Sequence, residues 1–174
     1  MKKRIQYIIG IIVVLFLVGF DQLTKILANR HFSAGDTKVI IKNVFEFTYL
    51  ENRGAAWGMM SGKQVFFIIL TIVMSIAIIY LLIKLPESKR YTPARIILWV
   101  LLSGAIGNLI DRIALNYVRD FINLLFISFP VFNMADIYVT VSMIGLVAFI
   151  LFFYKEKDFA FLKRNKEKAS ENNE

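Results

Sequence analysis

The sequence predicts an all-α membrane protein: four transmembrane helices with a small β-rich extracytoplasmic loop between the first two. Three observations carry this. The chain of 174 residues is 57% hydrophobic with 16 Phe, above the roughly 45–50% of ordinary soluble domains. Its mean hydropathy is +0.61. Its apolar residues gather into four runs, at about 5–20, 65–83, 96–110 and 135–153, and runs of this order are what a bilayer requires.

The first run follows Met1-Lys2-Lys3-Arg4. A basic start and an apolar stretch also describe a signal peptide, but no small-residue cleavage site follows. The run is therefore read as an uncleaved span, its helix continuing towards Leu27. Residues 21–64 are polar by comparison. Within them, Lys38 to Tyr49 is rich in β-branched and aromatic residues with a period of two, which predicts one or two short strands turning near Lys42-Asn43. The second run is the cleanest, interrupted only by Thr71, Ser75 and Tyr80. Residues 84–95 form a loop containing Pro86 and Pro93. The third run ends in Ser103, Gly104, Gly107 and Asn108, small and polar residues that suit packing on protein rather than lipid. Residues 111–134 form a second polar loop with an apolar middle. The fourth run closes a single domain over residues 1–154, and 155–174 is a basic cytoplasmic tail.

Basic residues set the orientation. Three lie in the first four positions, four in 84–95 and six in 155–174, against six in the 44 residues of 21–64 and two in the 24 of 111–134. The positive-inside rule then places both termini in the cytoplasm and both long loops outside. Asp21, Asp111, Asp120 and Asp136 fall together at that outer face. The formal net charge of +8 is explained by these membrane-flanking residues, and no nucleic-acid-binding pattern accompanies it.

The chain has no cysteine and one histidine, His31. Thiol chemistry, disulfides and histidine-rich metal sites such as HExxH are excluded. Carboxylates remain. Asn108, Asp111 and Arg112 are spaced i, i+3, i+4, and Asn133 precedes Asp136 by three, so each set shares a helix face. Two carboxylates held close share a proton, because both cannot ionise comfortably. One can then activate a water while the other protonates the reacting carbonyl or leaving amine. A single interfacial aspartate is more often a helix cap or a local charge pair; three aspartates and two asparagines converging favour chemistry. Spacing leaves Asp111 as attractive as Asp120 and Asp136, and leaves Asp21 either a cap or part of the site. A proton relay and a non-catalytic lipid-binding subunit are the rival classes. The clustering of acids at one face, with none in the middle of any span, argues against the relay.

Five stretches, in order, carry a resemblance: Asp21-Gln22-Leu23-Thr24-Lys25, Asn52-Arg53-Gly54-Ala55-Ala56-Trp57-Gly58, Gly107-Asn108-Leu109-Ile110-Asp111-Arg112, Val118-Arg119-Asp120-Phe121 and Phe132-Asn133-Met134-Ala135-Asp136. Over about residues 5–154 the chain resembles the lipoprotein signal peptidases (signal peptidase II) of bacteria. The resemblance implies a membrane aspartyl endopeptidase that removes the signal peptide from prolipoproteins, cutting before a diacylglyceryl-modified cysteine. It implies Asp120 and Asp136 as the catalytic pair. Asn108, Asp111, Arg112 and Asn133 would orient the site and the substrate, and Asp21 and Asn52 would line it. It implies no cofactor and no metal. The partners are lipidated prolipoproteins and membrane lipid, not nucleic acid. The chain is expected to act as a monomer in the bacterial cytoplasmic (inner) membrane, its active site at the outer face. Ser103 stands where the family commonly has glycine, and Ile137-Tyr138 where it has small residues. Both departures concern helix packing.

Overall fold

A computed structural model describes residues 3–54, 59–127 and 129–163. Residues 55–58 of the Asn52–Gly58 motif, and the tail beyond 163, lie outside the described residues. Four helices are long and apolar enough to cross a membrane. The first, α1, spans Lys3–His31. It continues past the apolar stretch, as expected, and beyond Leu27, with Asp21 and Lys25 as i,i+4 partners that have no exposed side-chain surface. Its last turn is closed by His31, whose Nδ1 lies 2.8 Å from the Leu27 carbonyl.

The first loop folds as the expected hairpin. Strands β1 (Thr37–Ile41) and β2 (Phe45–Asn52) are antiparallel. Their turn places Asn43 at φ 61°, the left-handed region that asparagine tolerates. A third strand, β3 (Val118–Leu124), joins from the connection between the third and fourth helices, giving the order β1-β2-β3. Both long loops thus build one sheet, and β2 pairs Leu50 with Asp120.

Helix α2 spans Gln64–Lys84. Helix α3 spans Thr92–Leu115 after a 3-10 turn at Lys89–Tyr91. Pro93, expected in a loop, sits in the first turn of α3, where its missing N–H costs nothing. At the other end α3 continues beyond 110, so Asp111 and Arg112 are helical, and it stops at Asn116 in the left-handed conformation. Helix α4 spans Met134–Ala148 and passes into a π turn at Phe149–Phe153. Short helical turns at Glu156–Phe159 and α5 (Ala160–Lys163) follow. They are folded back by Arg90, which donates to both oxygens of Asp158 at 2.8 and 2.6 Å and to the Phe153 carbonyl.

Helix α3 is central: 44% of its most apolar window is buried, against 11% in each of the other three. Outward-facing side chains such as Phe16, Val65, Ile76 and Ile144 are largely exposed, which is tolerable only in apolar surroundings. Helices α3 and α4 meet at glycines. A Cβ on Gly104 would lie 2.5 Å from the Ala135 carbonyl oxygen, and one on Gly107 2.6 Å from Asp21 Oδ2. Ser103 is fully buried and donates its hydroxyl to the Trp99 carbonyl at 2.8 Å, so it adds no unpaired group. Tyr138 is buried in the core.

Candidate active site

The two long loops and three helices bring ten polar side chains together in two linked networks. The first surrounds Asp120 on β3 and Asp136 at the start of α4. Asn133 is the N-cap of α4 and Asp136 its third residue, in a reciprocal capping box. The Asn133 backbone N–H donates to Asp136 Oδ2 at 3.1 Å, and its side-chain amide donates to Asp120 Oδ1 at 2.6 Å. One residue therefore tethers both carboxylates. Each receives a second amide: Asn52 donates to Asp120 Oδ2 at 2.8 Å and Asn108 to Asp136 Oδ1 at 2.7 Å.

Each asparagine is turned by what its own oxygen accepts. Asn52 Oδ1 takes the Gly54 N–H at 2.9 Å, and Asn133 Oδ1 takes the Asp136 N–H at 3.1 Å. Asn108 Oδ1 takes Lys25 Nζ at 3.0 Å and the Asn133 amide at 3.2 Å. With the oxygens engaged, the amide nitrogens must face the aspartates.

Asp120 is 1% exposed. Burial, and then the neighbouring charge of Asp136, push its carboxyl up to about 7, against the opposing donors Asn52 and Asn133. A group held there keeps a proton near neutral pH.

The second network holds Asp21, Gln22 and Lys25 of α1, Asp111 of α3 and Arg119 of β3. Arg119 forks onto Asp111 with Nε–Oδ2 at 3.1 Å and Nη2–Oδ1 at 2.7 Å, and its backbone N–H adds a third bond at 3.0 Å. Gln22 reaches Asp111 at 3.1 Å and Lys25 approaches it at 3.7 Å. Asp111 is thus saturated by protein donors and fully buried. Its partner is Arg119, not the adjacent Arg112. Asp21 is also fully buried; it pairs with Lys25 at 2.9 Å and accepts the Ala135 N–H at 2.9 Å, so it braces the first turn of α4 from another helix. The two networks touch at Lys25, which bonds Asn108.

Arg112 stands apart from these pairs. Among the described residues its Nε has no hydrogen-bond partner; its guanidinium lies 5.3 Å from the Phe67 ring centroid, and its Nη1 grazes the Asn108 carbonyl at 3.5 Å. It lines a cavity of about 200 Å³ with Asn52, Asn108, Asp136, Val118 and Phe132. A second cavity, about 240 Å³ and apolar, is lined by Leu124, Ile127, Ile137 and Val141 and shares Phe132 and Asp136 with the first. Polar and apolar recesses therefore meet at Asp136. Among the described residues no group of three or more histidine or carboxylate side chains is arranged to hold a metal ion.

All eight residues singled out in sequence enter these networks or line the polar cavity. Gln22, Lys25 and Arg119 were not singled out. Lys25 had two signals, its place in the Asp21–Lys25 stretch and its i,i+4 spacing from Asp21; nothing in the sequence pairs Arg119 with Asp111.

The chain is similar to several known proteins. A family described as signal peptidase (SPase) II matches residues 12–152. A lipoprotein signal peptidase of Caldanaerobacter subterraneus subsp. tengcongensis is 46% identical over 144 residues, 82% of this chain and 96% of the relative. One from Enterococcus faecalis is 42% identical over 135 residues, 78% of this chain and 83% of the relative. A solved bacterial membrane enzyme superposes with a TM-score of 0.76 at 35% identity, covering 84% of this chain and 92% of that one.

Proposed function

The chain belongs to the signal peptidase II family, and we propose that it frees lipoprotein precursors of their signal peptides with Asp120 and Asp136 as the acid–base pair. The cut falls before a diacylglyceryl-modified cysteine. The observation that carries the assignment is the tethering of these two carboxylates, and not Asp111, by Asn133 beside an open cavity.

Charge counting supports one proton on the pair. Asp21 and Asp111 balance Lys25 and Arg119. The charges left are Asp120, Asp136 and Arg112, which sum to zero only when one aspartate is protonated. Asp136 is the better anion. It sits in the first turn of α4, where the helix dipole favours negative charge, and it lines the cavity with Arg112. Asp120, on a strand and pushed up to about 7, is the better proton carrier.

The roles follow. Asp136 takes a proton from water as the water oxygen bonds to the scissile carbonyl carbon. Asp120 gives its proton to the carbonyl oxygen, forming a gem-diol. Asp136 then protonates the departing nitrogen while Asp120 recovers a proton from one hydroxyl, and the C–N bond breaks. The products are a carboxylic acid and an amine, and the pair returns to its starting state. Arg112, whose Nε has no partner among the described residues and which lines the polar cavity, is placed to bond a backbone carbonyl of the precursor. The apolar cavity beside Asp136 suits acyl chains.

The chain is a multi-pass bacterial membrane protein. The distribution of basic residues supports cytoplasmic termini and an active site at the outer face, and the chain acts as a monomer surrounded by lipid. Reconstitution with a lipidated precursor tests the chemistry: Asp120→Asn and Asp136→Asn should each abolish processing. Near wild-type processing by either variant would refute the pair.

A further inference from the structure

Lys25 is fully buried and belongs to the network that lacks the reacting carboxylates. We propose that Lys25 is a positioning residue for the cleavage reaction: its ammonium fixes the side-chain amide of Asn108 so that the amide nitrogen faces Asp136. This rests on Asp136 being a member of the reacting pair.

The comparison among the three asparagines carries the inference. Asn52 and Asn133 are oriented by backbone N–H groups, from Gly54 and Asp136, which cannot leave without unfolding the chain locally. Among the described residues Asn108 Oδ1 has no backbone donor. It is held by Lys25 Nζ at 3.0 Å and by the Asn133 amide at 3.2 Å. The Asn133 amide also makes the shorter 2.6 Å bond to Asp120, so Lys25 is the stronger dedicated donor on Asn108. An ammonium can only donate. A flipped Asn108 would set two donors against each other at Lys25 and turn its oxygen towards a carboxylate. The bond from Asn108 to Asp136 at 2.7 Å therefore depends on a cation one residue removed from the chemistry.

Lys25 is itself held. Asp21 pairs with it at 2.9 Å, Asp111 lies at 3.7 Å, and the Gly107 carbonyl accepts from it at 3.4 Å. Gly107 precedes Asn108, so Lys25 grips α3 at both the backbone and the amide. Neutralising Asp21 and Asp111 is the competing role, and the test must separate the two.

In an Asp21→Asn background the cluster stays neutral when Lys25 is also made neutral. There, Lys25→Met removes the donor and Lys25→Gln keeps one. The assay is cleavage of a synthetic lipidated precursor by each purified variant in vesicles, with kcat and KM resolved and the folded fraction measured. The methionine variant is expected to lose about 100-fold in kcat, the scale of loss from a misplaced reacting group, with KM little changed. The glutamine variant is expected to recover most of that loss. Equal kcat for the two would overturn the proposal and leave Lys25 a charge-balancing residue. If the methionine protein does not fold, Lys25→Gln with Asp21 intact decides: retained kcat per folded molecule supports positioning, and lost kcat overturns it. Wild-type protein that leaves the precursor uncut would instead count against the proposed function.

Discussion

Replacing Asp111 by asparagine separates a structural carboxylate from a reacting one. The side chain keeps its shape but loses its charge. Asp111 is fully buried and receives three bonds from Arg119 and one from Gln22. In the variant, Lys25 and Arg119 face Asp21 alone, leaving one buried positive charge uncompensated. Two donors also point at the new amide nitrogen. Breaking a buried ion pair from one side costs about 3–5 kcal/mol. For a domain of this size that lowers the unfolding midpoint by ~6–20 °C. Since folded domains are stable by roughly 5–15 kcal/mol, a folded population should persist at low temperature. The assay is thermal unfolding in detergent followed by circular dichroism, paired with cleavage per folded molecule at low temperature. We expect a large fall in midpoint with measurable cleavage. An unchanged midpoint with abolished cleavage would refute the reasoning and return Asp111 to the reacting group.

Three further outcomes follow from the same contacts. Asn133→Ala removes the N-cap of α4 and the tether between the carboxylates; it should cost about 1 kcal/mol in unfolding measurements and roughly 100-fold or more in kcat, the scale set by losing one preorganised donor. Because Asp120 holds its proton up to about 7 and must be protonated to act as acid, the pH profile of kcat should fall as pH rises through about 7, and a profile flat to well above that would contradict the role. The same raised value means the folded state keeps a proton that the unfolded chain has released, so this group's contribution to stability declines as pH rises from the ordinary carboxylate range towards 7. Arg90→Ala should free the segment around Asp158: hydrogen exchange should rise across 156–162 while cleavage is unchanged, since the Arg90 side chain engages Asp158, the Phe153 carbonyl and the Phe153 and Tyr154 rings, all away from the site.

The helices were legible in sequence because their apolar runs are long and carry few polar residues, and the hairpin because its alternation is clean. Strand β3 was not legible. Its residues from Val118 to Phe121 are all buried, so Arg119 and Asp120 stand where a half-exposed strand would alternate, and the period-two signal is lost. Polar residues at span ends were equally opaque. The helix was expected to run on past Asp21 and Lys25 towards Leu27, but that these two charges are buried against the other helices was not readable. For the site, the sequence pointed to the residues but spacing alone did not divide their labour. Asp111, Asp120 and Asp136 are equivalent by spacing, and only the resemblance to a family set Asp111 apart. Arg119 divides them, because its fork occupies Asp111 and leaves the other two to neutral amides. That pairing crosses from a helix to a strand that the sequence did not reveal.

The central claim is that Asp120 and Asp136 act as one unit. Single-turnover cleavage of a lipidated precursor by Asp120→Asn, Asp136→Asn and the double variant tests it directly. Residues that act together are grossly non-additive, so each single change should remove nearly all of the rate and the double should be no slower than either single. Substantial cleavage by one single variant, or losses that multiply in the double, would contradict the account.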